Sequence, residues 1–185
     1  MKKYLNYIIY FIIVFSTFFL DQLTKIIVEN NINLGSSVSV LGNFFKFTYI
    51  HNDGAAFGIL SGELLYLIIF SILVIFFILY QFVCYKDSKF ICSSFAMLLG
   101  GLLGNLLDRL QYGYVRDFID FTIFKYEAPI FNVSDIFIVI SILMITIGVA
   151  SYEGGVLVNG NNSEQRNDGE ETRCSTSRTS RKKQK

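Results

Sequence analysis

Five aspartates stand beside long apolar stretches of this chain: Asp21, Asp108, Asp117, Asp120 and Asp135. A charged carboxylate next to hydrocarbon is costly unless it is solvated or paired, so each needs a reason to be there. Two carboxylates brought together split their pKa values, because like charges at close range cannot both ionise cheaply. The ionised member can take a proton from water, and the protonated member can give one to a carbonyl oxygen. Asp117 and Asp135 are the pair best placed for this. Asp135 opens an apolar segment just after Asn132, and Asp117 precedes that segment by a short loop. The competing structural reading is a helix N-cap for Asp135 and a solvated loop residue for Asp117. Asp120, three residues on, competes with Asp117 for the same role.

Other chemistries lack the residues they need. There is one histidine, His51, and it has no second histidine or thiol at ligand spacing, so no metal is expected. Cys84, Cys92 and Cys174 do not form a disulfide framework. No serine sits in a motif that would pair it with His51 or with a lysine, and no phosphate-binding glycine loop is present. No organic cofactor is expected. The net charge of +1 gives no reason to expect a nucleic-acid partner.

The elements that must position these residues are membrane spans. Of the 185 residues, 52% are hydrophobic and the mean hydropathy is +0.48. Both values lie well above those of a soluble domain. Apolar runs cover 7–20, 64–85, 90–110 and 133–152. A span needs roughly 20 apolar residues. The last three runs qualify directly. The first qualifies if its helix carries Asp21 and Lys25 on its final turns. Because no small-residue cleavage site follows that run, it reads as a retained span and not a cleaved leader.

Lysine and arginine lie before the first run (Lys2, Lys3), between the second and third (Lys86, Lys89), and after the fourth (Arg166 to Lys185). The positive-inside rule then puts both termini in the cytoplasm. All five aspartates fall near the outer membrane face. Residues 37–49 alternate apolar and smaller or polar side chains around Gly42-Asn43, the pattern of strands in a small surface sheet. Pro129 fixes the approach to the fourth span. The expected organisation is an all-α membrane domain of four transmembrane helices over 1–155, with a small β-cradle in the first outer loop. A basic tail, 156–185, follows; it is too polar to bury a core and reads as disordered.

Some polar residues have bland explanations beside functional ones. Asp21 and Lys25 are four apart, the spacing of an intrahelical ion pair. Gly100, Gly101 and Gly104 suit close helix packing. Asn105 could bracket a substrate backbone with its amide, and Arg109 could meet a carbonyl or carboxylate with its planar fork. A proton-conducting transporter and a non-catalytic scaffold are the alternatives to a peptidase. Clustering of the carboxylates at one face disfavours the transporter.

Five blocks, in order, resemble one family: Asp21-Gln22-Leu23-Thr24-Lys25, Asn52-Asp53-Gly54-Ala55-Ala56-Phe57, Gly104-Asn105-Leu106-Leu107-Asp108-Arg109, Val115-Arg116-Asp117-Phe118-Ile119-Asp120 and Phe131-Asn132-Val133-Ser134-Asp135. Together they resemble the lipoprotein signal peptidases, or signal peptidase II. The resemblance runs from the first span to the fourth and excludes the tail. It implies an aspartic endopeptidase of the bacterial inner membrane, free of cofactor. Such an enzyme cuts prolipoproteins just before a cysteine carrying a diacylglyceryl group. It implies Asp117 and Asp135 as catalytic residues, and Asp21, Asn52, Asn105, Arg109 and Asn132 as polar substrate contacts. The implied partners are lipidated prolipoproteins and membrane lipid, with the enzyme a monomer. Ser134 departs from the family, where alanine is common.

Overall fold

The computed structural model describes residues 2–54, 61–123 and 126–152. Met1–Ile145 form one compact unit; of the second, Thr146–Lys185, the described part is the end of the last helix. The expectations for the basic tail and Cys174 lie outside the described residues, as do Ala55, Ala56 and Phe57 of the second block.

Four helices carry the chain: α1 (Lys2–Asn31), α2 (Leu64–Cys84), α3 (Lys89–Tyr112) and α4 (Val133–Tyr152). Each is long and apolar enough to cross a membrane. Their outward faces are apolar, with Phe11, Phe15, Phe70, Phe76 and Leu143 all exposed. Such faces suit lipid and not water. In α3, 61% of the apolar window is buried, against 11–22% in the others, so α3 is the central helix. Helix α1 runs 30 residues. At roughly 1.5 Å per residue that is about 45 Å. It continues past Lys25 to Asn31, farther than the apolar run alone indicates.

Small residues let the helices approach α3 closely. A Cβ on Gly100 would meet the Val14 carbonyl of α1 at 2.7 Å and collide with Thr17. A Cβ on Gly101 would lie 3.0 Å from the Ser134 carbonyl and 3.0 Å from Ile138 of α4. One on Gly104 would run into both Asp21 and Ser134, so this glycine stands where α1, α3 and α4 converge.

Ser88 caps the start of α3, its hydroxyl accepting the Ile91 N–H. At the other end Gly113 takes a φ of 84° and returns its N–H to the Arg109 carbonyl. This left-handed cap suits glycine. The chain turns back at once into a strand lying over the end of α3.

The sheet joins the loop between α1 and α2 to the loop between α3 and α4. Strands β1 (Ser37–Leu41) and β2 (Phe45–Asn52) come from the first, separated by the expected turn at Gly42. Strands β3 (Val115–Ile123) and β4 (Tyr126–Glu127) come from the second, in the antiparallel order β1-β2-β3-β4. The cradle expected in the first loop is thus completed by the second. Val28, Tyr49, Phe118 and Ile119 form a buried cluster between the sheet and α1. Phe131 exchanges backbone hydrogen bonds with Ile119 at 2.7 and 3.1 Å, which ties the approach to α4 alongside β3.

Candidate active site

Strand register brings the first site residues together. In the β2–β3 pair Asn52 faces Val115, His51 faces Arg116 and Ile50 faces Asp117. Asn52 therefore reaches diagonally to Asp117, its amide donating to Oδ2 at 2.7 Å. Asp120 is three residues further along the strand, an odd step that turns it to the opposite face. There it accepts the Thr48 hydroxyl at 2.6 Å and lies 3.9 Å from the Lys46 ammonium. Asp117 lines the cavity and Asp120 does not.

The start of α4 supplies the second carboxylate. Asn132 precedes the helix and accepts the Asp135 N–H at 3.1 Å; the Asp135 carboxylate accepts the Asn132 N–H at 3.1 Å. This reciprocal pair is a capping box. Asn132 is the cap and Asp135 closes the box, and Asp135 also faces the cavity. The Asn132 amide donates to Asp117 Oδ1 at 2.6 Å and to Asn105 Oδ1 at 3.1 Å. Asn105 in turn donates to Asp135 Oδ1 at 2.8 Å. Three asparagines thus hold the two carboxylates from three elements.

Asp117 and Asp135 face one cavity of about 460 Å³, whose walls include Asn52, Asn105, Arg109, Ile50, Phe131 and Ile138. The Arg109 guanidinium enters it and donates to the Gly54 carbonyl at 3.0 Å. Burial, then the neighbouring Asp135 charge, lifts the Asp117 pKa to about 7. His51, also on the wall, stacks on Tyr114 with centroids 3.6 Å apart; burial lowers its pKa, so it is neutral at pH 7.

The residues expected to touch substrate divide into two groups. Asn52, Asn105 and Arg109 line the cavity. Asp21 and Asn132 are fully buried behind it. Asn132 acts on the two carboxylates. Asp21 accepts the Ser134 N–H at 2.9 Å and pairs with the Lys25 ammonium at 2.8 Å, the ion pair that the four-residue spacing allows.

Behind the cavity lies a charged cluster that the sequence showed only in part. Lys25 also reaches Asp108 at 3.2 Å and Asn105 Oδ1 at 2.9 Å. Asp108 takes the Arg116 guanidinium at 2.8 Å, so its arginine partner is on β3 and not its neighbour Arg109. Arg116 goes on to Glu29 and Gln22, each at 2.8 Å, and lies over the Tyr112 ring. Gln22 donates to Asp21, to Asp108 and to the Gly104 carbonyl. Strand alternation, which only the fold reveals here, accounts for Arg116: it points away from the cavity because Asp117 points into it.

Comparison with known proteins places this arrangement among relatives. A model of the signal peptidase (SPase) II family matches residues 13–151. A lipoprotein signal peptidase of Caldicellulosiruptor bescii is 42% identical over 147 residues, 80% of this chain and 93% of that one. One from Staphylococcus haemolyticus is 39% identical over 150 residues, 80% of this chain and 95% of that one. A bacterial membrane enzyme solved by the in meso method aligns with TM-score 0.70 at 34% identity, covering 77% of this chain and 87% of that chain. A second such structure gives TM-score 0.67 at 34% identity, covering 76% and 91%.

Proposed function

The chain belongs to the signal peptidase II family, whose relatives named above are lipoprotein signal peptidases, and from that premise we propose that it removes signal peptides from prolipoproteins with Asp117 and Asp135 as its catalytic dyad. The observation that carries the reading is the Asn132 bridge, which holds two carboxylates from different elements against one cavity.

The pair shares one proton at rest, and we assign it to Asp117, whose pKa burial and the neighbouring Asp135 charge raise to about 7. Asp135, held by the Asn132 N–H in the first turn of α4, is the member that acts as base. A water between them attacks the scissile carbonyl carbon and gives a proton to Asp135. Asp117 gives its proton to the carbonyl oxygen, and a neutral gem-diol results. As the C–N bond breaks, Asp135 passes its proton to the leaving amine and Asp117 takes one back from the diol. The dyad is restored with no proton gained or lost. Arg109, Asn52 and Asn105 lie where they can fix the peptide units on either side.

The bond cut is the one before a diacylglyceryl-modified cysteine. The acyl chains resist leaving the bilayer by roughly 0.8 kcal/mol per CH₂, so cleavage takes place at the membrane surface, where the carboxylates stand. The termini are cytoplasmic, the cavity lies near the outer face of the bacterial inner membrane, and the enzyme works as a monomer in contact with lipid.

The test is a gel-shift assay in detergent with a diacylglyceryl-modified prolipoprotein and the same protein unlipidated. Wild-type enzyme is expected to cut the lipidated form alone. Asp117→Asn and Asp135→Asn are each expected to remove cleavage while leaving a cooperative thermal unfolding transition. Substantial turnover by either variant removes that residue from the dyad.

A further inference from the structure

Lys25 lies outside the cavity, yet one of its three buried contacts is to a residue of the dyad's own shell. Its ammonium is 2.9 Å from Asn105 Oδ1, beside the two carboxylates Asp21 and Asp108. An ammonium has three donors and no acceptor. The edge of the Asn105 amide toward Lys25 must therefore be oxygen, and its NH₂ is left to face Asp135 at 2.8 Å.

We infer that Lys25 is a positioning residue that keeps Asn105 a hydrogen-bond donor to Asp135 throughout the catalytic cycle. The inference rests on the dyad proposed above. At rest the Asp135 carboxylate would itself hold the NH₂ toward it. Midway through the reaction Asp135 carries the proton taken from water, and that preference ends. A turned Asn105 would then offer its carbonyl to the new O–H and trap the proton needed by the leaving amine. With Oδ1 pinned by Lys25 and by the Asn132 amide, Asn105 cannot accept it. The proton stays directed into the cavity, and the C–N bond can break.

The role is exerted through Asn105, so a double-mutant cycle isolates it. Lys25→Met, Asn105→Ala and the double variant are compared on the lipidated prolipoprotein, followed to single turnover over hours so that slow variants still give a rate. Lys25→Met is expected to lower kcat on the order of 10²-fold, with KM within about threefold of wild type. In the Asn105→Ala background the same substitution is expected to change kcat by no more than about twofold. Should Lys25→Met fail to fold, Asp21→Asn with Lys25→Met keeps the cluster's charge balance and replaces it in the same cycle. Losses that multiply across the two sites, or a loss carried by KM, overturn the inference. Failure of the dyad itself is distinguishable, since it appears as turnover by Asp117→Asn or Asp135→Asn.

Discussion

Asp117 is a carboxyl group whose ordinary pKa of 3.8 is raised to about 7 in the folded protein. Between those values the unfolded chain has lost this proton while the folded chain keeps it. Its contribution to stability is therefore full below pH 3.8, declines as pH rises, and is gone above about 7. Asp117→Asn is expected to flatten that decline, which thermal unfolding from pH 4 to 8 measures; an unchanged slope sinks the assignment. Catalysis follows the same proton. The pair works with one proton between its members, so kcat/KM is expected to fall on the alkaline side with an apparent pKa near 7. A profile still flat at about pH 9 contradicts the single-proton dyad. At this scale the sequence was informative about type and poor about direction. Asp117 and Asp135 were visible as carboxylates at one depth. That Asp21 and Asn132 sit behind the cavity, with Asn132 linking the two carboxylates, depends on side-chain directions that no spacing encodes.

Helix α3 organises the elements because its glycines admit neighbours on two sides. Gly104 is where three helices meet: an added methyl has no room between Asp21 and Ser134, and Asp21 cannot retreat without leaving Lys25 and the Ser134 N–H. Gly104→Ala is expected to cost on the order of 1–3 kcal/mol, seen as a lower midpoint of thermal unfolding in detergent. A midpoint equal to wild type contradicts convergence of three helices there. The four spans were legible from apolar length; α2, α3 and α4 end within a few residues of their apolar runs, while α1 extends beyond its run at both ends. That helix runs on to Asn31 because Val28 and Ile32 pack beneath the sheet, a tertiary reason invisible in a hydropathy run. Strands β1 and β2 were legible from alternation. Strand β3 was not, since Val115 to Asp120 are all buried, charged and apolar alike, with no exposed face to mark the period. Missing β3 left Asp117 in a loop and its separation from Asp120 unexplained.

For the whole molecule the orientation proposed here is open to direct labelling. Ser36 is exposed in the first outer loop and Asp87 is exposed in the turn between α2 and α3. In a cysteine-free background Ser36→Cys is expected to react with a membrane-impermeant maleimide on intact spheroplasts, and Asp87→Cys only after lysis. The reverse pattern would place the cavity on the wrong side for a substrate already exported. The same arrangement of spans concentrates every described site residue at one end, leaving the outward faces of α1, α2 and α4 free to meet lipid. The start of α4 then bears on how such a molecule can change over time. One carboxylate, Asp135, both closes the capping box and faces the cavity. Glutamate is a favoured closing residue in such boxes. A lineage drifting toward it would push the reacting oxygens outward by one methylene. Selection for folding and selection for turnover pull against each other at this codon, and the shorter side chain is the compromise that keeps both.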